Sequence, residues 1–116
     1  MKFEDMEVWK RAVNLSTLVY KSVRSLKDYG FKDQIGRSSL SVPSNIAEGL
    51  ERTSVRDSLN FLSYAKASCG ELNTQVIIGQ NIEYLDDQTA KYLKEESKAI
   101  SRMIGALINK RKKFIK

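Results

Sequence analysis

Apolar residues recur at steps of three and four along almost the whole chain, and this spacing constrains the fold more than any other feature. Such spacing places apolar side chains on one face of an α-helix, and no stretch keeps the period of two that a strand requires. Four stripes predict four amphipathic helices, over residues 5–27, 32–52, 54–80 and 87–112. Helices joined by connections of roughly three to seven residues pack as antiparallel neighbours. The sequence therefore predicts an all-α fold, an up-down-up-down four-helix bundle that occupies the chain as one domain.

Polar residues and glycine mark the expected helix ends. Ser54 and Asp86 each precede a stripe, where a side-chain oxygen can accept a hydrogen bond from the first turn of the following helix. Gly30 follows the first stripe and is expected to take a left-handed conformation beyond the end of the first helix. These three residues predict the connections of the bundle.

Pro43 lies in the middle of the second stripe. One interpretation is two short helices, with Pro43 in the first turn of the second. The other is a single helix kinked at Pro43, because proline cannot donate a hydrogen bond to the carbonyl of Ser39. The apolar residues stay on one face on both sides of Pro43, which favours the single kinked helix.

The first and third helices each carry apolar residues beside the main stripe. On the first helix this second strip is turned by about 100° from the core face. Such strips are typical of a surface for self-association, or they widen a single face that wraps further round the core. The sequence leaves both interpretations open. The candidates for an oligomer interface are Trp9, Val13, Tyr20, Phe61 and Tyr64.

The net charge of +6 is concentrated at the C-terminal end. Glu96 is the last acid, and the chain up to that residue carries 13 basic and 14 acidic side chains. Charge asymmetry of this kind indicates a polyanionic partner, although a solubilising tail or cations that suit a helix C-terminus give the same pattern. Residues 110–116 are the first choice for nucleic-acid contacts. The complete set of candidates is Lys98, Arg102, Lys110, Arg111, Lys112, Lys113 and Lys116.

Several classes of chemistry are disfavoured by the composition. The chain has no histidine, which removes the commonest general base and the commonest metal ligand, and its glycines are too scattered for a phosphate-binding loop. We therefore expect no enzymatic activity, no metal and no cofactor. The lone Cys69, the acidic N-terminus and the short apolar runs indicate a cytoplasmic protein with no membrane segment.

The segment from Gln34 to Gly49 carries a specific motif, which ends in Asn45-Ile46-Ala47-Glu48-Gly49 after Pro43. It resembles the signature of the four-helix-bundle proteins encoded in intervening sequences of bacterial 23S ribosomal RNA genes. Their second helix carries Arg-Ala-Ala-x-Ser-Ile-Pro-x-Asn-Ile-Ala-Glu-Gly. Further residues resemble the family's opening and third helix, namely Phe3, Met6, Val8, Trp9, Phe61, Leu62, Ala65, Ala67, Ser68, Glu71 and Leu72. The departures in the helical blocks, Ser38-Ser39 for alanines and Ala67 for a usual glycine, exchange one small residue for another.

The resemblance implies a homopentameric ring without catalytic activity. The accessory protein of diversity-generating retroelements is similar, and is likewise pentameric and basic, and it binds nucleic acid and a reverse transcriptase. We expect the motif residues to determine packing and assembly between helices or subunits, either through a pair of Arg37 with Glu71 or through Asn45 and Glu48, which would satisfy backbone groups around Pro43. The full set is Arg37, Ser41, Pro43, Asn45, Ile46, Ala47, Glu48, Gly49 and Glu71.

Two functions remain open at this point. The first is a non-enzymatic homo-oligomer, a pentamer by resemblance, that binds nucleic acid, preferably RNA, through its basic C-terminal region. The second is a protein–protein adaptor or scaffold that does not bind nucleic acid, in which the basic end serves solubility. The expected partners are therefore further copies of the chain and either RNA or DNA or another protein.

Overall fold

The computed structural model describes residues 2–114, so the candidate contact Lys116 lies outside the described residues. The predicted all-α fold of four helices is confirmed, and no strand occurs between residues 2 and 114. A short 3-10 helix at Phe3–Asp5 precedes the bundle. The four α-helices are α1 Glu7–Val23, α2 Tyr29–Glu51, α3 Val55–Asn81 and α4 Asp87–Lys112.

Side-chain caps begin three of the helices. The side chains of Asp28, Ser54 and Asp86 each accept a hydrogen bond from the backbone N–H three residues later. The caps at Ser54 and Asp86 are the predicted ones, whereas Asp28 was expected to belong to a break between helices. Because Asp28 caps α2, this helix begins at Tyr29 rather than at residue 32.

The expectation of a left-handed glycine after α1 is wrong. Gly30 lies in the first turn of α2, where the cap at Asp28 requires a helical backbone. No glycine in the described part of the chain has a positive φ. The left-handed conformation occurs instead at Glu83, with φ of 65°, just after α3. There the backbone N–H groups of Tyr84 and Leu85 donate to the carbonyl of Gly79 and turn the chain towards α4.

Each helix packs against its two neighbours in the bundle. The α2–α3 and α3–α4 interfaces are the most extensive, and the α1–α4 interface is the smallest. The molecule is elongated, with dimensions of 48 by 21 by 20 Å. Because the connections are short, successive helices run antiparallel. The C-terminus of α4 therefore lies at the same end as the N-terminus of α1 and the α2–α3 connection.

The core follows the four predicted stripes. Its fully buried side chains are aliphatic and interdigitate along the length of the bundle. Burial of one such side chain contributes about 1.5–3 kcal/mol, so these residues supply most of the stabilising free energy. The largest of them are Leu15, Val19, Val23, Ile35, Val42, Ile46, Leu62, Leu72, Val76, Leu93, Ile100 and Ile104.

Most buried serines hydrogen-bond to another side chain or to the backbone, whereas the buried Ser58 hydroxyl has no partner within residues 2–114. The hydroxyls of Ser16 and Ser39 lie 3.0 Å apart and join α1 to α2. The hydroxyl of Ser97 on α4 donates to the carbonyl of Cys69 on α3 at 3.0 Å. A buried hydroxyl without a partner destabilises a fold, so these pairings also specify which helices become neighbours.

The second helix continues through Pro43, as the face of its apolar residues predicted. Pro43 is buried inside α2, and the helix is continuous from Tyr29 to Glu51. Two residues after Pro43, Asn45 Nδ2 donates to the carbonyl of Ser41, two residues before the proline, at 2.9 Å. This side-chain bond adds a donor to the stretch in which proline provides none.

One ion pair joins α1 to α4, the helices with the smallest interface. Arg11 donates to the carboxylate of Glu96 through two nitrogens, at 2.9 and 2.6 Å. The arginine side chain is 35% exposed and the glutamate 15%. Bidentate geometry makes this contact stronger than an ordinary surface pair. At the opposite end, the Tyr84 hydroxyl donates to Asp28 at 2.9 Å and ties the α3–α4 connection to α2.

Among the described residues, no helix combines the length and apolar character that a membrane crossing needs.

Candidate nucleic-acid interface

The cations at the end of α4 point in different directions. Lys110, Arg111 and Lys112 are consecutive, and consecutive residues of a helix are turned by about 100° from one another. Lys110 lies towards α1, where it lines a groove of about 250 Å³ together with Met6. Lys112 and Lys113 are exposed. The predicted terminal cluster is thus distributed around the end of the helix rather than along one face.

Arg111 is the least accessible of the predicted contacts that the structure describes. It is half-buried, whereas the others are exposed. Its Nε is buried and has no hydrogen-bond partner within residues 2–114. Arg111 is therefore less available to a ligand than its exposed neighbours.

A second group of cations shares one face of α4. Lys91, Lys94, Lys98 and Arg102 are spaced by three, four and four residues, so their side chains form a row along the helix. Only Lys98 and Arg102 were predicted contacts, although this spacing could have indicated the other two. Lys94 Nζ donates to Gln80 Oε1 on α3 at 2.9 Å. The row therefore borders the α3–α4 interface.

Lys66 on α3 brings another cation to this row. Its Nζ donates to the Ser101 hydroxyl at 3.0 Å. Its Cε lies 3.5 Å from the point that a Cβ on Gly105 would occupy. Lys66 thus reaches across to α4 beside Lys98 and Arg102. No local pattern around residue 66 indicates this, because the contact joins residues 35 apart in the chain. We call the set Lys66, Lys91, Lys94, Lys98 and Arg102 the α3–α4 basic face.

A small groove lies within the α3–α4 basic face. It has a volume of about 90 Å³. A Cβ added at Gly70 would meet no atom within 4 Å, so the groove is open above this residue. Burial raises the pKa of the Cys69 thiol to about 11, which keeps it protonated and unreactive at neutral pH. The lining residues are Cys69, Gly70, Asn73, Ser97, Lys98 and Ser101.

The α3–α4 basic face and the described cations at the end of α4 make no ion pairs within residues 2–114. The ion pairs in that range are Arg11–Glu96, Arg37–Asp33 and Arg52–Glu48. α4 and the adjoining side of α3 therefore concentrate basic side chains that no direct ion pair within the described residues neutralises. Such a surface attracts a polyanion.

The motif around Pro43 lies at the α2–α3 interface. The hydroxyls of Ser41 and Ser68 are 2.8 Å apart, and Asn45 Nδ2 donates to the Ser41 hydroxyl at 2.8 Å. One turn earlier, the hydroxyl of Ser38 donates to the carboxylate of Glu71. These side chains form a polar ladder that connects α2 to α3.

Within one chain, Arg37 and Glu48 make interactions other than the expected ones. Arg37 Nε donates to Asp33 at 2.9 Å rather than to Glu71, whose carboxylate is taken by Ser38. Glu48 accepts from Arg52 at 2.8 Å rather than from a backbone group near Pro43. Both Arg37 and Glu48 are exposed because they lie on the solvent side of α2. Only Asn45 acts on the backbone near Pro43 as expected.

The remaining motif residues pack rather than bind. Pro43, Ile46 and Gly49 are buried, and Ala47 is half-buried. A Cβ on Gly49 would lie only 2.9 Å from Leu62 Cγ. It would also lie 3.1 Å from the backbone carbonyl of Ser58. Glycine at this position therefore allows the close approach of α2 and α3.

The apolar strip of α1 divides between core and surface. Trp9 packs against the core and contacts Phe3 edge to face at 5.3 Å, so this residue widens the buried face. Tyr20 is 47% exposed and lies against Gly36 of α2. Tyr20 and Val13 line a cleft of about 230 Å³ between α1 and α2, which continues into a second cleft of about 450 Å³ beyond Tyr20.

The aromatic pair of α3 lies on a different side of the bundle. Phe61 is half-buried beneath the guanidinium of Arg52, 4.6 Å from its ring centre. Tyr64 contacts Phe61 edge to face and is 57% exposed. Trp9 thus widens the buried face, whereas Tyr20 and Tyr64 are exposed at the surface.

No three histidine, cysteine, aspartate or glutamate side chains between residues 2 and 114 come close enough to hold a metal ion.

The fold and the motif agree with known proteins. A crystal structure of a protein of unknown function from the S23 ribosomal protein family of Bacteroides thetaiotaomicron VPI-5482 has the same fold, with a TM-score of 0.82 and 23% sequence identity. The similarity covers 87% of this chain and 97% of that one. A search among curated proteins found no match. The profile of the family described as 23S rRNA-intervening sequence protein matches residues 4–106, and the chain belongs to this family.

Proposed function

We propose that the protein is a non-enzymatic bundle that assembles with copies of itself and binds nucleic acid, preferably RNA, through the basic part of α4. One observation carries the proposal: the exposed cations of α4 beyond Glu96 have no acidic partner within residues 2–114. Phosphate groups complement such a surface and release their counterions on binding. RNA is preferred because the family is named for a segment of ribosomal RNA. The lone cysteine is consistent with a cytoplasmic protein.

Assembly would multiply the effect of this charge. A ring of five copies would present about 35 cations from the segment after Glu96, and linked sites of this kind bind far more tightly than one alone. Two exposed apolar surfaces support self-association. One is the α1–α2 cleft with Tyr20 and the 50% exposed Leu40, and the other includes Tyr64 on α3. Because they lie on different sides, a head-to-tail contact between copies would join them, as a closed ring requires.

Removal of residues 110–116 tests the nucleic-acid proposal. We expect nuclease-treated full-length protein to bind a structured RNA in 50 mM salt and to lose about 100-fold in affinity at 200 mM salt, as four or so phosphate contacts predict. The truncation should bind at least roughly tenfold more weakly, because it lacks five of the cations. Fluorescence anisotropy with the RNA and with a DNA duplex measures both effects.

A charge-neutralising variant distinguishes a loss of binding caused by lost charge from one caused by structural damage to the end of α4. Lys110, Lys112 and Lys113 changed to Gln should reproduce much of the loss. As a matched control, Lys10, Lys21 and Lys27 changed to Gln remove the same charge from α1 and the segment after it, and should leave most of the affinity. Absence of RNA and DNA binding by the intact protein at 50 mM salt would overturn the proposal.

Tyr20→Glu tests self-association. If a second copy covers the α1–α2 cleft, a carboxylate at residue 20 would lose its hydration among apolar side chains, so the oligomer should dissociate. Light scattering should give a multiple of 13.2 kDa for the wild type and a smaller mass for the variant. Circular dichroism should remain helical, because Tyr20 is about half exposed. A wild-type mass of one chain at 100 µM would contradict assembly.

The α1–α2 cleft also favours a second candidate, a protein–protein adaptor. Its exposed apolar side chains would then bind a different polypeptide, and the cations of α4 would serve solubility. This function predicts full-length protein that does not bind RNA or DNA, and a wild-type monomer in solution. The two candidates therefore differ in both measurements.

A further inference from the structure

Positive charge on this bundle is organised by tertiary contacts as well as by the C-terminal sequence. We propose that the α3–α4 basic face holds the phosphodiester backbone of the bound nucleic acid, with Lys66, Lys98 and Arg102 contacting phosphates around the α3–α4 groove. This inference rests on the proposed function and deepens it, because it places the backbone along the side of the bundle. The inference adds Lys66, Lys91 and Lys94 to the expected nucleic-acid contacts, which the basic residues at the C-terminal end do not include.

The geometry around Lys66 supports convergence on one ligand. The ammonium of Lys66 uses one hydrogen bond, to Ser101 on α4, which leaves two N–H donors. Lys98 lines the groove one turn before Ser101, and Arg102 follows directly after Ser101. Three cations from two helices therefore border the same groove. Like charges brought together in this way repel one another, so an anion between them relieves an unfavourable arrangement.

The floor of the α3–α4 groove leaves room for a nucleic-acid backbone to approach. Gly70 has open space above it, and Gly105 has only the end of the Lys66 side chain nearby. Ser97 and Ser101 are the other small residues of this region. Phosphate backbones approach a protein surface most closely where side chains are absent or short. The groove thus offers small residues at its centre and cations at its edge.

Acidic side chains are sparse on this side of the molecule. The residues on the side of α3 that faces α4 recur at steps of three and four, and none of them is acidic. They are Leu59, Ser63, Lys66, Gly70, Asn73 and Ile77. On α4 two acids lie beside the row, Glu95 between Lys91 and Lys98 and Asp87 one turn before Lys91. Asp87 accepts a hydrogen bond from Gln80, the residue that accepts from Lys94. Five cations against two nearby carboxylates still give a field that favours a polyanion.

The length of the row matches a short stretch of one strand. Lys91 and Arg102 are eleven residues apart, which is about 16 Å along a helix. One strand of B-form DNA places a phosphate every 3.4 Å along its axis, so this length corresponds to about five nucleotides. A groove lined by Lys98, with Lys66 and Arg102 beside it and no aromatic residue among its lining residues, favours contact with the nucleic-acid backbone rather than with the bases. Binding should therefore depend little on sequence.

The variant Lys66→Gln/Lys98→Gln/Arg102→Gln tests the inference in the full-length chain. Each lost phosphate contact lowers the slope of log affinity against log salt by about 0.7 to 0.9. The triple variant should therefore reduce the slope by about 2 to 3 and weaken RNA binding by roughly 10- to 100-fold at 0.1 M salt. The α1 control, Lys10, Lys21 and Lys27 changed to Gln, removes the same charge and should change the affinity less than about threefold.

A matched pair at Gly70 tests the groove without removing any cation. Gly70→Glu places a carboxylate in the open space above residue 70, where it would pair with Lys98 and repel phosphate. Gly70→Gln has nearly the same shape and no charge. We expect the glutamate variant to bind RNA at least roughly tenfold more weakly than the glutamine variant, with unchanged helicity and mass. Equal affinities for the two variants would overturn the inference.

The outcomes separate this inference from the proposed function. If the truncation at residue 109 loses binding while the groove variants keep it, the proposed function stands and the α3–α4 basic face is not the contact. If the intact protein binds neither RNA nor DNA, both fail. Competition by polyglutamate distinguishes phosphodiester from general anion binding. Displacement of RNA by polyglutamate at an equal concentration of charge would overturn the assignment to a nucleic-acid backbone.

Discussion

Gly49→Val is expected to destabilise the bundle by about 2–4 kcal/mol. The α2–α3 approach at this position leaves no room for a Cβ, since it would lie 2.9 Å from Leu62 Cγ and 3.1 Å from the Ser58 carbonyl. The carbonyl belongs to the backbone of α3, so relief requires the two helices to move apart. Overpacking of a well-packed core commonly costs about 1–3 kcal/mol, and valine adds two further methyl groups. Urea unfolding followed by circular dichroism measures the change.

Gly70→Ala is the matched control, and its expected effect has the opposite sign. Gly70 lies on α3, the helix that Gly49 approaches, but a Cβ at residue 70 meets nothing within 4 Å. Alanine favours a helix over glycine by up to about 1 kcal/mol, so this variant should be more stable than the wild type by about 0.5–1 kcal/mol. Both variants must be compared at one protein concentration, because assembly contributes to stability. A Gly49→Val protein as stable as the wild type would contradict the close approach of α2 and α3.

Arg11→Ala should lower the free energy of unfolding at pH 7 by about 1–3 kcal/mol. Truncation leaves the carboxylate of Glu96, which is 15% exposed, without its bidentate partner. An exposed ion pair contributes less than about 1 kcal/mol to stability. Loss of one partner of a buried pair costs about 3–5 kcal/mol. Because this pair is half-buried, we expect a cost between these two values. The effect matters because α1 and α4 share the smallest interface of the bundle.

The same pair gives a defined dependence on pH. Hydrogen bonds from Arg11 hold the pKa of the Glu96 carboxyl below its ordinary value. Its contribution is therefore complete above about pH 4.3, the ordinary glutamate value, and is lost as the pH falls through the lower pKa of the folded state. The wild type should lose more stability than Arg11→Ala between pH 7 and pH 3, so their difference should shrink. Parallel loss in both proteins would show that Glu96 does not depend on Arg11.

Glu96→Gln separates charge from packing in this pair. Glutamine keeps the shape and one acceptor oxygen, so the variant should lie between the wild type and Arg11→Ala at pH 7. Its stability should not follow the titration of residue 96. Urea unfolding at pH 7, 5 and 3 provides the comparison.

The helices and their faces follow from local rules, which is why the sequence predicted them. Val42 and Ile46 lie on the same face as Ile35, so the apolar spacing could continue across Pro43 and indicate one helix. Ser54 and Asp86 carry short side chains with oxygen acceptors directly before apolar stripes, which is the usual chemistry of a helix start. The motif ending in Asn45-Ile46-Ala47-Glu48-Gly49 identified the family before the fold was known.

The expectations that were wrong concern partners rather than elements. Arg37 and Glu71 were paired because both are charged and lie on adjacent helices. The side-chain directions decide otherwise, since Glu71 accepts from Ser38 and Arg37 donates to Asp33 on its own helix. Gly30 was expected to end a helix, but the carboxylate of Asp28 begins one there. A glycine or a charge alone does not specify which competing hydrogen bond forms.

The sequence by itself determined the number of helices, their buried faces and the family, because these depend on period, composition and motif within one segment. Tertiary structure alone decided which cations share a surface. Consecutive basic residues at 110–112 diverge around a helix, whereas Lys66 meets Ser101 across the α3–α4 interface. It also decided where the backbones approach, at Gly49 and not at Gly70. These features depend on distances between segments far apart in the chain, and packing of the whole core establishes such distances.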